Sequence, residues 1–298
     1  MRSYSDARSA RNGSPATVTI SIVLALIGTA SLLIVGAPYL LSSDRFTTRH
    51  PRFALTAWYG VFLGGLVCLV TSLVVTIGTV ITMAGVAEAP HGWLVPTALE
   101  IFGWVGLAGV GGFASLVLST AAPLADVERR LNTQFTLLAA STACRNIRVR
   151  GVRVAVVPSS LPLAFCAPGA DGGILVSSRL ERDLSPEQFR AILEHERAHM
   201  RHRHGRIIQL AQLNHLCLPM IPGARHLEEA TRLLIELIAD DASARHVGAV
   251  NTANALLKVG TLRGDDSMLL RARRVAARPP RGSLGVTRSA RQSAAPVG

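Results

Sequence analysis

Three long stretches in the N-terminal half of the chain carry no charge. Residues 13–43, 53–87 and 101–125 contain no Asp, Glu, Lys or Arg. A membrane-spanning helix needs about 20 apolar residues, and a core helix of a soluble domain would show a polar stripe that these runs lack. Each run therefore predicts one span. The second is too short for two spans and reads as one, tilted or with an interfacial end. Gly60 and Gly64 within it form a small-xxx-small pair suited to seat a neighbouring helix.

Past residue 125 the periodicity changes. Leu131, Phe135, Leu138 and Ala139 share one face of a helix predicted over 126–143. Residues 151–157 alternate Val152, Val154 and Val156 with other side chains, which predicts a strand. Two more short strands are predicted over 161–166 and 173–176, joined by the turn-rich Pro168-Gly169-Ala170-Asp171-Gly172-Gly173. Together they make a small sheet with an exposed edge. Ser185-Pro186-Glu187-Gln188 then announces a helix to about His202, with Ser185 at the N-cap, Pro186 at N1 and Gln188 reaching back from N3. The stretch 207–222 is broken by Gln209, Gln212, Asn214 and His215, so it predicts an amphipathic helix rather than a fourth span. A last helix is predicted over 227–246.

Composition supports this division. The 298 residues are only 17% charged, and a mean hydropathy of +0.35 is too high for an ordinary soluble domain. Arg45, Arg49 and Arg52 follow the first run, and Arg129 and Arg130 follow the third, whereas the intervening loop holds Glu88 and Glu100. The positive-inside rule then places everything after the third span in the cytoplasm, against the contrary vote of Arg2, Arg8 and Arg11. Cys68, Cys144, Cys166 and Cys217 show no paired spacing, and no disulfide is expected. The net charge of +12 rests on arginine, Lys258 being the only lysine. Seven arginines fall between Arg271 and Arg291 with no acid among them, which predicts a disordered, solvated tail. Adhesion of that tail to anionic lipid or to nucleic acid is the sharper alternative.

The chemistry lies in His195-Glu196-Arg197-Ala198-His199 and, after a gap of 36 residues, Glu236-Leu237-Ile238-Ala239-Asp240. Histidines four apart on a helix stand one turn apart on one face, so both imidazoles can reach one ion. Glu196 then points beside that ion, where it can take a proton from an activated water. Two histidines with a carboxylate favour zinc, other divalent ions remaining open. Glu236 is the predicted third ligand, since a carboxylate among Leu233, Leu234, Leu237 and Ile238 needs a partner. Asp240, one turn on, is placed to accept the free ring N–H of a ligating histidine. Asp241 is the runner-up ligand, with a surface position the competing reading. His202 and His204 read as caps of the helix C-terminus or as rival ligands. An oxyanion donor is also needed. All three tyrosines, Tyr4, Tyr39 and Tyr59, precede residue 126, which leaves His246, Arg245 and His226, with His246 preferred.

These motifs, with "LPLAFCAPG", "GILVSSRL", "LSPEQFRAILEHERAHMRHRHG" and "IELIADDASAR", resemble the BlaR-type integral membrane metallopeptidases and, more distantly, the HtpX-type and prenyl-protein peptidases. The resemblance covers Leu161 to Arg245 and implies a gluzincin, with His195, His199 and Glu236 on zinc and Glu196 as base. It further implies that a substrate peptide pairs with the edge strand at Ala164, Phe165 and Cys166. The expected architecture is an α+β membrane protein: N-terminal transmembrane helices followed by a mainly helical zincin-like domain with a small β-sheet. Its expected divisions are a tail over 1–16, three spans over 17–125, the metallopeptidase domain over 126–265 and the basic tail over 266–298. Membrane lipids, a protein or peptide substrate and a transcriptional repressor are the partners implied; nucleic acid is not expected among them. The chain departs from BlaR-type sensors in having no Ser-x-x-Lys motif in a large domain after Asp241. The competing reading is a signalling or scaffold protein whose metal site is structural or vestigial.

Overall fold

The computed structural model of the protein describes residues 15–41, 44–84, 94–140, 145–167 and 173–277. They form helices α1 (Pro15–Leu41), α2 (Asp44–Arg49), α3 (Pro51–Ala84) and α4 (Leu94–Ala140), then strands β1 (Arg145–Val149), β2 (Val152–Val157), β3 (Ala164–Cys166) and β4 (Ile174–Ser177). Helices α5 (Ser178–Asp183), α6 (Pro186–Arg201), α7 (His204–Cys217), α8 (Pro222–Val247), α9 (Ala249–Arg263) and α10 (Asp266–Ala276) follow. The chain divides into two compact units, Met1–Leu124 with Leu210–Thr231, and Ala125–Gln209 with Arg232–Gly298.

Among the described residues, two helices are long and apolar enough to cross a membrane, by length and composition. They are Pro51–Thr79 and Trp104–Leu131, with 11% and 0% of their apolar windows buried. Apolar side chains that face outward along a helix are the reverse of a soluble core. Hydroxyls in α3 turn inward to the backbone: Thr76 donates to the Ser72 carbonyl and Thr79 to that of Val75, each at 2.8 Å. The first predicted span is a helix as well, but its apolar stretch, Ser21–Ala37, is shorter than the other two. Helix α1 packs along α3. A Cβ on Gly64 would stand 3.6 Å from Leu33 Cδ1 and one on Gly65 3.8 Å from Ile34 Cγ1, whereas Gly60 has nothing within 4 Å. The seat for α1 is thus Gly64 with Gly65, and not the expected Gly60–Gly64 pair. No break separates the third predicted span from the helix expected over 126–143, because α4 is continuous from Leu94 to Ala140.

The second unit holds a four-stranded sheet in the order β1-β2-β4-β3, with only the β2–β4 pair parallel. Strand β1 was not foreseen, since Arg145-Asn146-Ile147-Arg148-Val149 offers only two apolar residues. It closes onto β2 through a two-residue turn at Arg150 (φ 49°) and Gly151 (φ 82°). Positive φ at both turn positions matches the twist of a tight hairpin. One sheet face, with Val154, Ile174 and Val176, packs on Ala191 and Ile192 of α6, Leu256 and Val259 of α9, and Ala272 and Val275 of α10.

Helix α6 begins where its sequence signals: the Ser185 hydroxyl accepts from the Gln188 backbone N–H at 3.3 Å, and Gln188 Oε1 accepts from the Ser185 N–H at 3.0 Å. The C-terminal helices α9 and α10 form a hairpin. Gly264 adopts φ 65° after α9, and Asp265 caps α10 by accepting the Ser267 N–H at 3.0 Å. Where the two helices meet, a Cβ on Gly260 would stand 3.0 Å from both Leu269 Cδ2 and Met268 Cβ. The basic tail expected from residue 266 therefore opens with an ordered helix packed on the core. The tail beyond Ala277, the first-run ends before Pro15 and the turn at Pro168 to Gly172 lie outside the described residues.

Candidate metal centre

Helix α6 presents His195, Glu196 and His199, and α8 presents Glu236 and Asp240. The helical repeat of four puts each pair one turn apart. His195 Nε2 and His199 Nε2 lie 3.1 Å apart. Glu236 completes the group, with Oε2 at 3.4 Å from His195 Nε2 and Oε1 at 3.6 Å from His199 Nε2. Among the described residues these three form the one group whose donor atoms could hold a metal ion, all within 4.8 Å of one another. A tetrahedral zinc with ligand bonds of 2.0–2.1 Å has edges of about 3.3 Å. The donor set suits zinc, and its atoms stand close enough to share one ion.

Each histidine is backed by a second side chain. His195 Nδ1 lies 3.0 Å from Oδ1 of Asp240, off the line of a straight hydrogen bond, and Asp240 has no exposed surface. His199 Nδ1 faces Nδ1 of His204 at 3.1 Å, and His204 is only 2% exposed. If Nε2 of His199 faces the ion, its Nδ1 carries the proton and His204 accepts it. His204 was read as a helix cap or rival ligand; it opens α7 instead and braces His199. His202 does sit at the C-cap of α6, its backbone N–H directed at the Ala198 and Met200 carbonyls.

Arg271 of α10, read from the sequence only as the first arginine of a basic tail, joins the site. Its Nε donates to Oδ2 of Asp240 and its Nη2 to Oδ1, both at 2.7 Å. Its Nη1 lies 2.8 Å from Oε2 of Glu236. One cation thus joins both acids of α8.

The charges follow from these contacts. Burial would lower the His195 imidazole, but Asp240 and Glu236 outweigh it and hold the group up at about 10. Burial and the charge on His195 push His199 down, to about 3. Burial works to raise Glu236, yet His195 and Arg271 keep it well below the usual carboxylate range. Asp240 is likewise held low by Arg271 and His195 against burial. Glu196 is lifted by burial, more than His195 and a backbone hydrogen bond from Cys166 lower it. Burial, then the charge of Glu196, pushes the Cys166 thiol up to about 12, so it stays protonated.

Residues 126–252 match Peptidase family M48. The M48 match covers every candidate ligand and ends before Arg271. It supports a metallopeptidase domain in this part of the chain, without narrowing it to the BlaR type. No curated protein and no solved structure matches the chain.

Two expected residues are elsewhere. His246, the expected oxyanion donor, is 42% exposed and has Glu194 as its partner, Nε2 to Oε2 at 4.0 Å, rather than the metal group. Asp241 is buried, not on the surface, and pairs with Arg274 at 2.8 Å. Ala164, Phe165 and Cys166 form the edge strand β3, and β3 lies against α6.

Proposed function

We propose that the chain is a membrane-anchored zinc endopeptidase. The observation that carries this is the gathering of His195 Nε2, His199 Nε2 and a Glu236 oxygen within reach of one ion, with the charge of Glu196 felt by His195 and Glu236. His195, His199 and Glu236 would hold zinc, Asp240 and His204 fixing the two imidazoles. When bound, zinc supplies Lewis acidity, which lowers the pKa of water to about 7 and polarises a carbonyl.

The remaining chemistry belongs to the chain. Glu196, lifted by burial, takes the proton of the attacking water and passes it to the leaving amine. Strand β3 pairs with β4 through alternate residues: the Ser177 N–H donates to the Leu163 carbonyl and the Ala167 N–H to that of Gly173, each at 2.8 Å. That alternation turns the backbone groups of Ala164 and Cys166 outward. An extended peptide added there would run past Glu196, which already accepts a backbone hydrogen bond from Cys166. In this reading the arginines around the apolar runs place the domain on the cytoplasmic side, and a cytoplasmic protein such as a transcriptional repressor is the substrate.

Glu196→Gln tests the reading. The amide keeps an oxygen for the Cys166 N–H but cannot take a proton. Hydrolysis of an unfolded protein substrate should fall about 10²–10⁴-fold while zinc content is unchanged. Full activity in the variant would refute Glu196 as base, and a wild-type protein free of zinc after metal loading would refute the metal centre.

A further inference from the structure

Arg271 is unused by the chemistry above and lies beyond the segment matched to the family. Glu236 and Asp240 stand four residues apart on one face of α8, where like charges repel. Both are turned into the site, Asp240 fully and Glu236 with 37% of its side chain exposed. A guanidinium presents its donors in a planar fork, and three of its nitrogens are engaged here: Nε and Nη2 on Asp240, Nη1 on Oε2 of Glu236. The other Glu236 oxygen, Oε1, points to His199. Asp240 in turn touches His195, so one cation braces two of the three candidate ligands.

We infer that Arg271 is a positioning residue of the metal centre, holding Oε2 of Glu236 so that this carboxylate binds zinc through one oxygen. The inference rests on the zinc reading above. A carboxylate free to rotate can give both oxygens to an ion, and the second would take the position that a catalytic site keeps for water. Arg271 opposes this by competing with the ion for that oxygen, which also lies 3.4 Å from His195 Nε2.

A neighbouring ion pair separates this role from simple docking. Arg274 also lies on α10 and grips Asp241 of α8 with two contacts, at 2.8 and 3.2 Å. It secures the same two helices through an acid that is not in the metal group.

The test uses the full-length chain in detergent as wild type, R271K, R271M and R274M. Zinc affinity is measured by chelator competition, coordination by the absorption of the cobalt(II)-loaded protein, and folding by circular dichroism. R271K and R271M should lose about 10–100-fold in zinc affinity, and R274M no more than about twofold. The cobalt band of both Arg271 variants should weaken toward five-coordinate intensity, while that of R274M should not change. If R271M does not fold, R271K decides, since it keeps charge and length but not the fork. Zinc affinity and a cobalt band equal to wild type in R271K would overturn the inference. So would an equal loss in R274M, which would make Arg271 a docking residue only. A wild type that binds no zinc removes the zinc reading itself, an outcome distinct from either.

Discussion

Replacing Asp240 by Asn changes charge with little change in shape, at a residue with no exposed surface. The carboxylate accepts from Arg271 at both oxygens, 2.7 Å each, and Oδ1 is also 3.0 Å from His195 Nδ1. An amide has one oxygen. Its best placement at Oδ1 serves Arg271 Nη2 and His195, and turns the NH2 group against the Arg271 Nε–H. One charge-assisted hydrogen bond is lost and one buried donor is left facing another, so the cost approaches that of breaking a buried pair, about 3–5 kcal/mol. Glu236 remains 2.8 Å from Arg271 as a counter-ion, which argues for the lower end, about 3 kcal/mol. For a domain of roughly 150 residues that is a fall in Tm of about 6–12 °C. Because the imidazole loses its anionic support, zinc affinity should fall by about 10–100-fold. Thermal unfolding followed by circular dichroism, with chelator competition on the same preparation, reads both effects. A variant within about 2 °C of wild type that binds zinc equally would refute the reasoning that Asp240 is the shared charge partner of His195 and Arg271.

Zinc binding should release one proton near pH 7. The His195 imidazole is raised from 6.5 to about 10, so it is protonated without metal and must be neutral to bind it. Affinity should therefore rise about tenfold per pH unit below that value. The metal-free protein should lose the stabilisation of His195 as pH rises from 6.5 through 10; calorimetry in buffers of different ionisation enthalpy that finds no proton released would contradict this. His204→Ala removes the partner of His199 Nδ1 and should lower zinc affinity by about tenfold without abolishing it, again measured against a chelator. Gly223→Ala puts a methyl 2.7 Å from the Ile34 carbonyl oxygen. It should destabilise the first unit by about 1–3 kcal/mol, seen as a lower detergent-unfolding midpoint, and an unchanged midpoint would show that α1 yields freely.

What the sequence made legible was local. Ser185, Pro186 and Gln188 lie within one turn, and the capping box they announce is formed. His195, His199, Glu236 and Asp240 follow the same four-residue repeat, and the structure brings the first three into one group. Arg271 escaped notice because its meaning is long-range: it lies 31 residues beyond Asp240 and opens a run of arginines without acids, a composition typical of disorder. The acids it needs are on another helix. His204 was hidden by sitting among histidines at a helix end, where capping is the commoner role, and only the approach of α7 to α6 sets it against His199. His246 was chosen by elimination among residue types, and elimination carries no information about direction. The α9–α10 hairpin went unseen although Leu256, Val259, Met268, Ala272 and Val275 recur at helical spacing, because the arginines of α10 made that stretch read as a tail.

The order in which the site's parts leave the ribosome follows from the same hairpin. The histidines and both acids of α8 are synthesised before Arg271, which trails Asp240 by 31 residues. At about 5–20 residues per second this is an interval of roughly 2–6 s. During it the two acids of α8 have no guanidinium to pair with, so the charge cluster is incomplete. Completion of this acid–guanidinium cluster therefore waits on the chain's own C-terminal helix.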